Sequence, residues 1–272
     1  MSSWAGKRIL ITGSGQGLGK EIARQLLTLG AEVIVTDRLL EKAQQTVAEL
    51  SGEGKTAFAY LLDVTDSQGI LAFREKLHAE RGPIDGLINN AGVVFGGSFL
   101  EVSPKDHART MEVNIIGLMQ LTHAFLPDLI AKPESYLVNL TSAAALIALP
   151  WGTSYSASKW AVLGFTDSIR EELRLQGHRQ VRVSAICPSY IATGMFEGAR
   201  PAHGTWMLRP EKVAYALIRA MEKGKQFVVL PWTIRISTFF GAFMSRRMFH
   251  WFCRVLRVNR SMIDWRGHQR KG

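Results

Sequence analysis

Cysteine is nearly absent: Cys187 and Cys253 are the only two in 272 residues. Two thiols so far apart supply neither a disulfide framework nor the paired spacing of a zinc site, and they suit a chain kept in a reducing compartment. The seven histidines are equally scattered. His107, His123 and His178 have no ligand spacing with cysteine or carboxylate, so no metal is expected and each reads as a solvated or core histidine. No segment reaches the ~18 uninterrupted apolar residues that would cross a bilayer as a helix. A strand-like run starts almost directly after Met1-Ser2-Ser3-Trp4, leaving no room for a cleaved leader, and a cytoplasmic location is expected. No repeat, linker or low-complexity stretch divides the chain.

What the sequence does contain is alternation. Strand-like runs near residues 7–11, 31–36, 57–62, 84–89, 135–140, 181–187 and 227–230 are separated by helical patterns. That arrangement predicts an α/β fold, a doubly wound parallel sheet with helices on both faces. The length allows one large domain or two small ones. The reading taken is one catalytic domain over residues 1–231 with an extension over 232–272.

The first run turns through Thr12-Gly13-Ser14-Gly15-Gln16-Gly17-Leu18-Gly19 into a helical pattern. Gly13 permits a tight turn, Gly17 lets backbone approach a pyrophosphate, and Gly19 allows close packing of helix on strand. A glycine cluster alone is only a turn; between a strand and a helix, whose first amides face outward, it reads as a phosphate cradle. The second run ends in Asp37, an acid placed to accept hydrogen bonds from the adenosine ribose and to repel a 2′-phosphate. At ~4 Å and an effective dielectric near 20, such a charge pair is worth about 4 kcal/mol before screening, which predicts NAD over NADP. Arg38 works the other way, and Gln16 leaves the turn without a basic residue. The alternative for Asp37 is a cap on the helix that follows.

Further along, Ser142 ends the apolar run 135–140, and Tyr155 and Lys159 stand four residues apart in Tyr155-Ser156-Ala157-Ser158-Lys159. On a helix their side chains share a face, and an ammonium there favours a phenolate. Taken alone the pair reads as a partly buried phenol and a solvated amine. In order with the glycine turn, Asp63-Val64, Asn89-Asn90-Ala91-Gly92, Asn114 and the segment 188–193, it resembles the short-chain dehydrogenase/reductase family over residues 7 to about 231. The long tail after Pro231 resembles the hydroxysteroid and retinol dehydrogenase branch more than the acyl-carrier reductases.

That resemblance implies a Rossmann-type sheet of about seven strands in the order 3-2-1-4-5-6-7, an NAD cofactor and a tetrad of Asn114, Ser142, Tyr155 and Lys159. Tyr155 is then the general acid/base, Lys159 lowers its pKa and holds the nicotinamide ribose, Ser142 polarises the substrate oxygen and Asn114 supports the proton relay. Asp63 and Val64 flank the adenine, while Asn90, Ala91 and Gly92 support the cofactor. Pro188, Ile191 and Thr193 close over the nicotinamide, with Ser189 standing where the family usually has glycine. Gly13, Ser14, Gln16, Gly17, Leu18, Gly19, Asp37 and Arg38 complete the cofactor set. Helices around 105–130 and 155–176 imply a homodimer or homotetramer.

Ser142, Ala144, Trp151, Tyr155, Met195 and Trp206 are expected at the substrate. Their apolar surroundings favour a lipophilic alcohol or carbonyl compound, a steroid, retinoid or similar. A reductase of small or cyclic ketones and a catalytically idle NAD-sensing membrane-associated protein are the alternatives.

Charge is placed unevenly. Residues 226–272 hold nine basic residues against the single acid Asp264, most of the chain's net +10. Between Arg247 and Val258 a basic face (Arg247, His250, Arg254, Arg257) runs beside an apolar one (Met248, Trp251, Phe252, Val255, Val258), which predicts a basic amphipathic helix. Three readings stay open: a cover over the substrate pocket that docks on a partner subunit, a peripheral anchor at a bilayer or lipid droplet, and nucleic-acid binding. Against the last, the catalytic domain has no basic stripe of its own and no RNA or DNA motif is visible, so no nucleic-acid partner is expected.

Overall fold

The computed structural model describes residues 4–52 and 56–267; Arg270 and Lys271, counted in the charge of the extension, lie outside the described residues. In chain order, β1 (Arg8–Ile11), α1 (Gly17–Thr28), β2 (Glu32–Asp37), α2 (Leu40–Leu50), β3 (Thr56–Leu61) and α3 (Ser67–Arg81) form the first half. The second half comprises β4 (Gly86–Asn89), α4 (Pro104–Met111), α5 (Gly117–Ile130), β5 (Ser135–Leu140), α6 (Thr153–Leu175), β6 (Val181–Pro188), α7 (Pro210–Lys223) and β7 (Phe227–Leu230). The seven strands pair in parallel in the order β3-β2-β1-β4-β5-β6-β7.

Every residue of β4 and of β5 is buried. Strands covered on both faces read as continuous runs rather than alternations, and the two covering layers are distinct. Ile22 and Leu26 of α1 pack with Leu217 and Met221 of α7 on one face; Phe73 of α3, Phe125 of α5 and Leu173 of α6 pack on the other. α1 illustrates the cause, since Ile22, Ala23, Leu26 and Leu27 fall on one side of the helix and are all buried. The chain leaves β1 toward β2 on one side and returns from β3 to β4 on the other, which opens a crevice at the carboxyl ends of β1 and β4.

α4 and α5 join through a π-helical turn, Glu112–Ile116, that carries Asn114. The whole stretch Pro104–Ile130 is long and apolar enough by composition to cross a membrane, a property that counting unbroken apolar runs does not detect, yet 61% of its apolar window is buried. Leu121 and Phe125 are fully buried in the core beside the sheet, so its apolarity serves the core.

Beyond β7, α8 (Trp232–Gly241) and α9 (Arg246–Val255) form the extension. The amphipathic helix expected over 247–258 stops at Val255, because Leu256 caps it and Arg257 takes a left-handed φ of 61°; Arg257 and Val258 therefore leave the helical face. This reversal carries the chain back to the domain, where Ser261 and Met262 are buried. The apolar face also divides. Phe249 packs against Gly241 and Cys253 is buried, while Met248, Trp251 and Val255 are more than half exposed.

Candidate active site

At the crevice, the glycine turn meets the start of α1. Gly13 and Gly17 have φ of 61° and 57°, and a Cβ on Gly19 would lie 2.6 Å from the Asn90 amide nitrogen and the Gly13 carbonyl oxygen. Thr12, Gly13 and Asn90 interlock. Thr12 Oγ1 accepts the backbone N–H groups of Asn90 and Ala91, both at 3.0 Å, and Asn90 Nδ2 donates to the Thr12 and Gly13 carbonyls at 2.9 and 3.0 Å. The N-cap of α1, Gln16, makes no side-chain capping bond, and no acid lies in the first turn. Its leading amides are thus left for an anion. A Cβ on Gly17 would be in van der Waals contact with Thr193, at 3.5 Å, so the bare backbone of the turn lies close against the segment 188–193. These residues fit the pyrophosphate of a dinucleotide.

Ser14 is buried, its hydroxyl donating to the Ile11 carbonyl and accepting from Thr36 N–H; it braces the turn. Leu18 packs on the core beneath it. Asp37 is buried, with one carboxylate oxygen accepting from Leu39 N–H at 3.1 Å and the other 2.8 Å from where a Gly15 Cβ would sit. It bonds the chain just before α2 without capping that helix, whose N-cap, Leu39, has no side-chain cap bond, and it faces the glycine turn. Arg38 is exposed. Lys42, one turn into α2, donates to Gln16 Oε1 at 2.7 Å, so the turn has a basic neighbour after all.

Asp63 accepts from Thr65 and lies 3.5 Å from Arg109. Burial opposes its charge, but the Thr65 hydrogen bonds and the Arg109 guanidinium outweigh it and hold its pKa low. Val64 is buried beside it, its carbonyl close under Gly117. Gly92 lies between the Asn114 amide oxygen and the Lys159 ammonium, 3.3 and 3.7 Å from its Cβ position. Ser189 needs no glycine: among the described residues only Trp151 and Arg257 are non-glycine residues with positive φ, and Ser189 N–H donates to Leu230 O at 2.7 Å. Pro188 ends β6, and Ile191 pairs with Leu208.

α6 opens at Thr153 and sets Tyr155 and Lys159 on one face, both buried; the solvated amine of the plain reading is not what occurs. Burial pushes the Tyr155 phenol up to about 12, with the Ser142 hydroxyl pulling it down and Tyr190 adding to the rise. Burial brings Lys159 down to about 8. Desolvation thus outweighs any help from the ammonium to the phenol in this arrangement. Asn114 Nδ2 donates to Val93 O and to Ser158 Oγ, and its Oδ1 accepts from Val93 N–H at 2.8 Å. It staples the π turn to α6 and to the loop after β4.

Tyr155, Ser142 and Ala144 line an apolar chamber of about 460 Å³, with Tyr190 and Phe196 beside them. The extension walls one side of it, supplying Ile234, Phe240, Phe252, Cys253 and Leu256. Several bonds clasp this cover to the domain. Tyr190 OH donates to Ser261 Oγ at 2.7 Å, Trp265 Nε1 to Met195 O at 3.0 Å, and Arg200 pairs with Asp264 at 2.9 Å. Three residues expected at the substrate are not in the lining. Trp151 is left-handed (φ 65°) and partly exposed, Trp206 is half exposed, and Met195 packs in the cluster behind Phe196. His203 does line the chamber; nothing in its sequence neighbourhood marks it.

Comparisons with known proteins agree with this geometry. A family model described as short chain dehydrogenase matches residues 7–204. Human "Epidermal retinol dehydrogenase 2" is 30% identical over 243 residues, covering 88% of this chain and 79% of that one. Mouse "Estradiol 17-beta-dehydrogenase 11" is 30% identical over 236 residues, covering 87% and 79%. Among solved structures, a short chain dehydrogenase/reductase from Burkholderia phymatum in complex with NAD superposes with a TM-score of 0.79 at 25% identity, covering 88% of this chain and 93% of that one. A metagenomic short-chain oxidoreductase in complex with NADP superposes with a TM-score of 0.71 at 32% identity, covering 84% and 96%. With the glycine turn at the β1–β4 crevice and the paired tyrosine and lysine on α6, these matches place the chain in the short chain dehydrogenase family, to which it belongs.

Proposed function

We propose that the protein interconverts a lipophilic alcohol, of steroid or retinoid character, and its ketone or aldehyde, using NAD(H). The observation that carries this reading is one chamber in which the buried Tyr155 and Ser142 meet a mostly apolar wall. Its volume of about 460 Å³ suits a lipid-sized molecule better than a small ketone.

Ser142 and Tyr155 hold the substrate oxygen. Tyr155 removes its proton in oxidation and returns it in reduction. A phenol held near 12 by burial gives up a proton readily only with a cation close by, and Lys159 is the cation in reach. Asn114 keeps α6 and the loop after β4 in register around that pair. A dinucleotide would be held by the amides at the start of α1, by Asp37 and by the segment 188–193, and when bound its nicotinamide supplies the hydride acceptor or donor. Asp37, buried and facing the turn, favours NAD; Lys42 and Arg38 limit that preference.

The extension works as a cover and as a peripheral membrane contact of a cytoplasmic protein. Phe239, Phe243 and Trp251 are 61, 78 and 59% exposed. Phe240 lines the chamber while 58% exposed, so the chamber opens among aromatics suited to a lipid surface. Ile116, Met119 and Trp160, exposed on the α4–α5 and α6 helices, suit a homodimer contact, which sedimentation at two concentrations tests. Turnover of a panel of retinoid, steroid and cyclic alcohols with NAD and with NADP tests the proposed reaction. Activity on none of them would overturn it.

A further inference from the structure

Beside the chamber lies a second cleft, of about 640 Å³, and its chemistry is the reverse of its neighbour's. Arg246, Arg247, His250 and Arg254 line it from α9, with Pro150 opposite. These four recur at three and four residues and gather on one face of a ten-residue helix. Among the described residues no carboxylate pairs with Arg246, Arg247 or Arg254, whereas Arg24, Arg170, Arg174 and Arg219 each have one on their own helix. The three arginines crowd one helix face, and two of them sit at the positive end of the helix dipole, where cations are disfavoured. The arrangement costs stability unless an anion offsets it.

Two observations distinguish a built site from a solvated basic face. Asn259 lines the same cleft, and its amide oxygen, closed to water, has no hydrogen-bond partner; the side chain turned over would present N–H to an oxyanion. The cleft also adjoins the chamber, since Ile147, Ala148, Cys253 and Val258 line both. An amphiphile threaded past this shared wall would reach from the chamber to the arginines.

We propose that this cleft binds the oxyanion end, carboxylate or phosphate, of an amphiphilic substrate whose hydrocarbon lies in the chamber with its hydroxyl or carbonyl at Tyr155. Guanidinium forks suit both oxyanions. The inference rests on the chamber being the substrate site and adds the charge of the substrate to that reading.

The test uses the full chain, wild type and the double variant Arg247→Gln/Arg254→Gln, whose altered side chains are exposed. With NAD, wild type should oxidise 11-hydroxydodecanoate with a kcat/KM at least about tenfold above that for its methyl ester, the worth of one good charge-assisted contact. The variant should lose that preference and keep its activity on the ester. Equal values for acid and ester in wild type, or an undiminished preference in the variant, would overturn the inference.

Calorimetry with octyl phosphate below its micelle concentration, and with inorganic phosphate, reads the cleft without turnover. Saturable binding of octyl phosphate, tighter than that of inorganic phosphate and weakened about tenfold or more in the variant, supports the inference even if neither alcohol is oxidised, in which case only the proposed reaction fails. Absence of octyl phosphate binding overturns it. So does a variant that differs from wild type only in sedimenting with phosphatidylglycerol vesicles, since the arginines would then serve a membrane surface.

Discussion

The Lys159 ammonium lies 5.7 Å from the centre of the Tyr155 ring and donates its hydrogen bond to the Leu140 carbonyl, 2.7 Å away. The pair is assembled on α6, but the cation is engaged by backbone, and burial governs both groups.

This arrangement makes stability depend on pH in a definite direction. The folded-state pKa of Lys159, about 8, lies below its ordinary 10.5, so between these values the unfolded chain binds more protons and stability rises with pH. The contribution is complete above 10.5 and is lost as pH falls through 8. Lys159→Met removes it. The melting temperature of wild type relative to this variant should climb between pH 8 and pH 10.5, measured by calorimetry in the absence of nucleotide; a flat difference would mean that burial of the ammonium is not felt. Tyr155 and Tyr190, both raised to about 12, act oppositely, and stability should fall as pH climbs from about 10 toward 12.

Asp37→Ala should shift cofactor choice toward NADP. It removes the carboxylate that faces the turn and leaves Lys42, 2.7 Å from Gln16, and Arg38 free to meet a 2′-phosphate. The ratio of kcat/KM for NAD to that for NADP should fall by about tenfold or more, equivalent to about 1.4 kcal/mol. Equal use of both cofactors by wild type would show that Asp37 only braces the turn at Leu39.

The exposed aromatics of the extension predict vesicle binding. Inserting Phe243 and Trp251 removes on the order of 100 Å² of apolar surface each, about 2.5 kcal/mol apiece, and salt does not screen that part. Phe243→Ser/Trp251→Ser should therefore weaken sedimentation with anionic vesicles even at low salt, with the circular dichroism spectrum unchanged. Phe249 and Phe252 are poorer targets, because the first packs on Gly241 and the second lines the chamber. Truncation after Pro231 is poorer still, since it removes Ser261 from Tyr190 and opens the chamber.

The glycine turn, the strand runs and the Tyr155–Lys159 spacing were legible because each is a local pattern whose order along the chain selects one physical meaning. Contacts between distant segments were not. Ser261 meets Tyr190 across 71 residues, Lys42 meets Gln16 across 26, and Trp265 lies over Gly96; no periodicity announces such meetings. Trp151, Met195 and Trp206 were read as pocket wall from apolarity, which says that a side chain seeks cover but not in which direction. The amphipathic stretch 247–258 shows the same limit from the other side: its helical period is real, but the reversal at Arg257 ends it.

The central claim is that Tyr155 transfers the proton within this chamber, and Tyr155→Phe tests it most directly because only one hydroxyl is removed. With a lipophilic secondary alcohol and NAD, kcat should fall by about a hundredfold or more, while NADH binding by fluorescence and the melting temperature stay close to wild type. Retention of more than about a tenth of kcat, with folding and nucleotide binding intact, would assign proton transfer to another group and contradict the account.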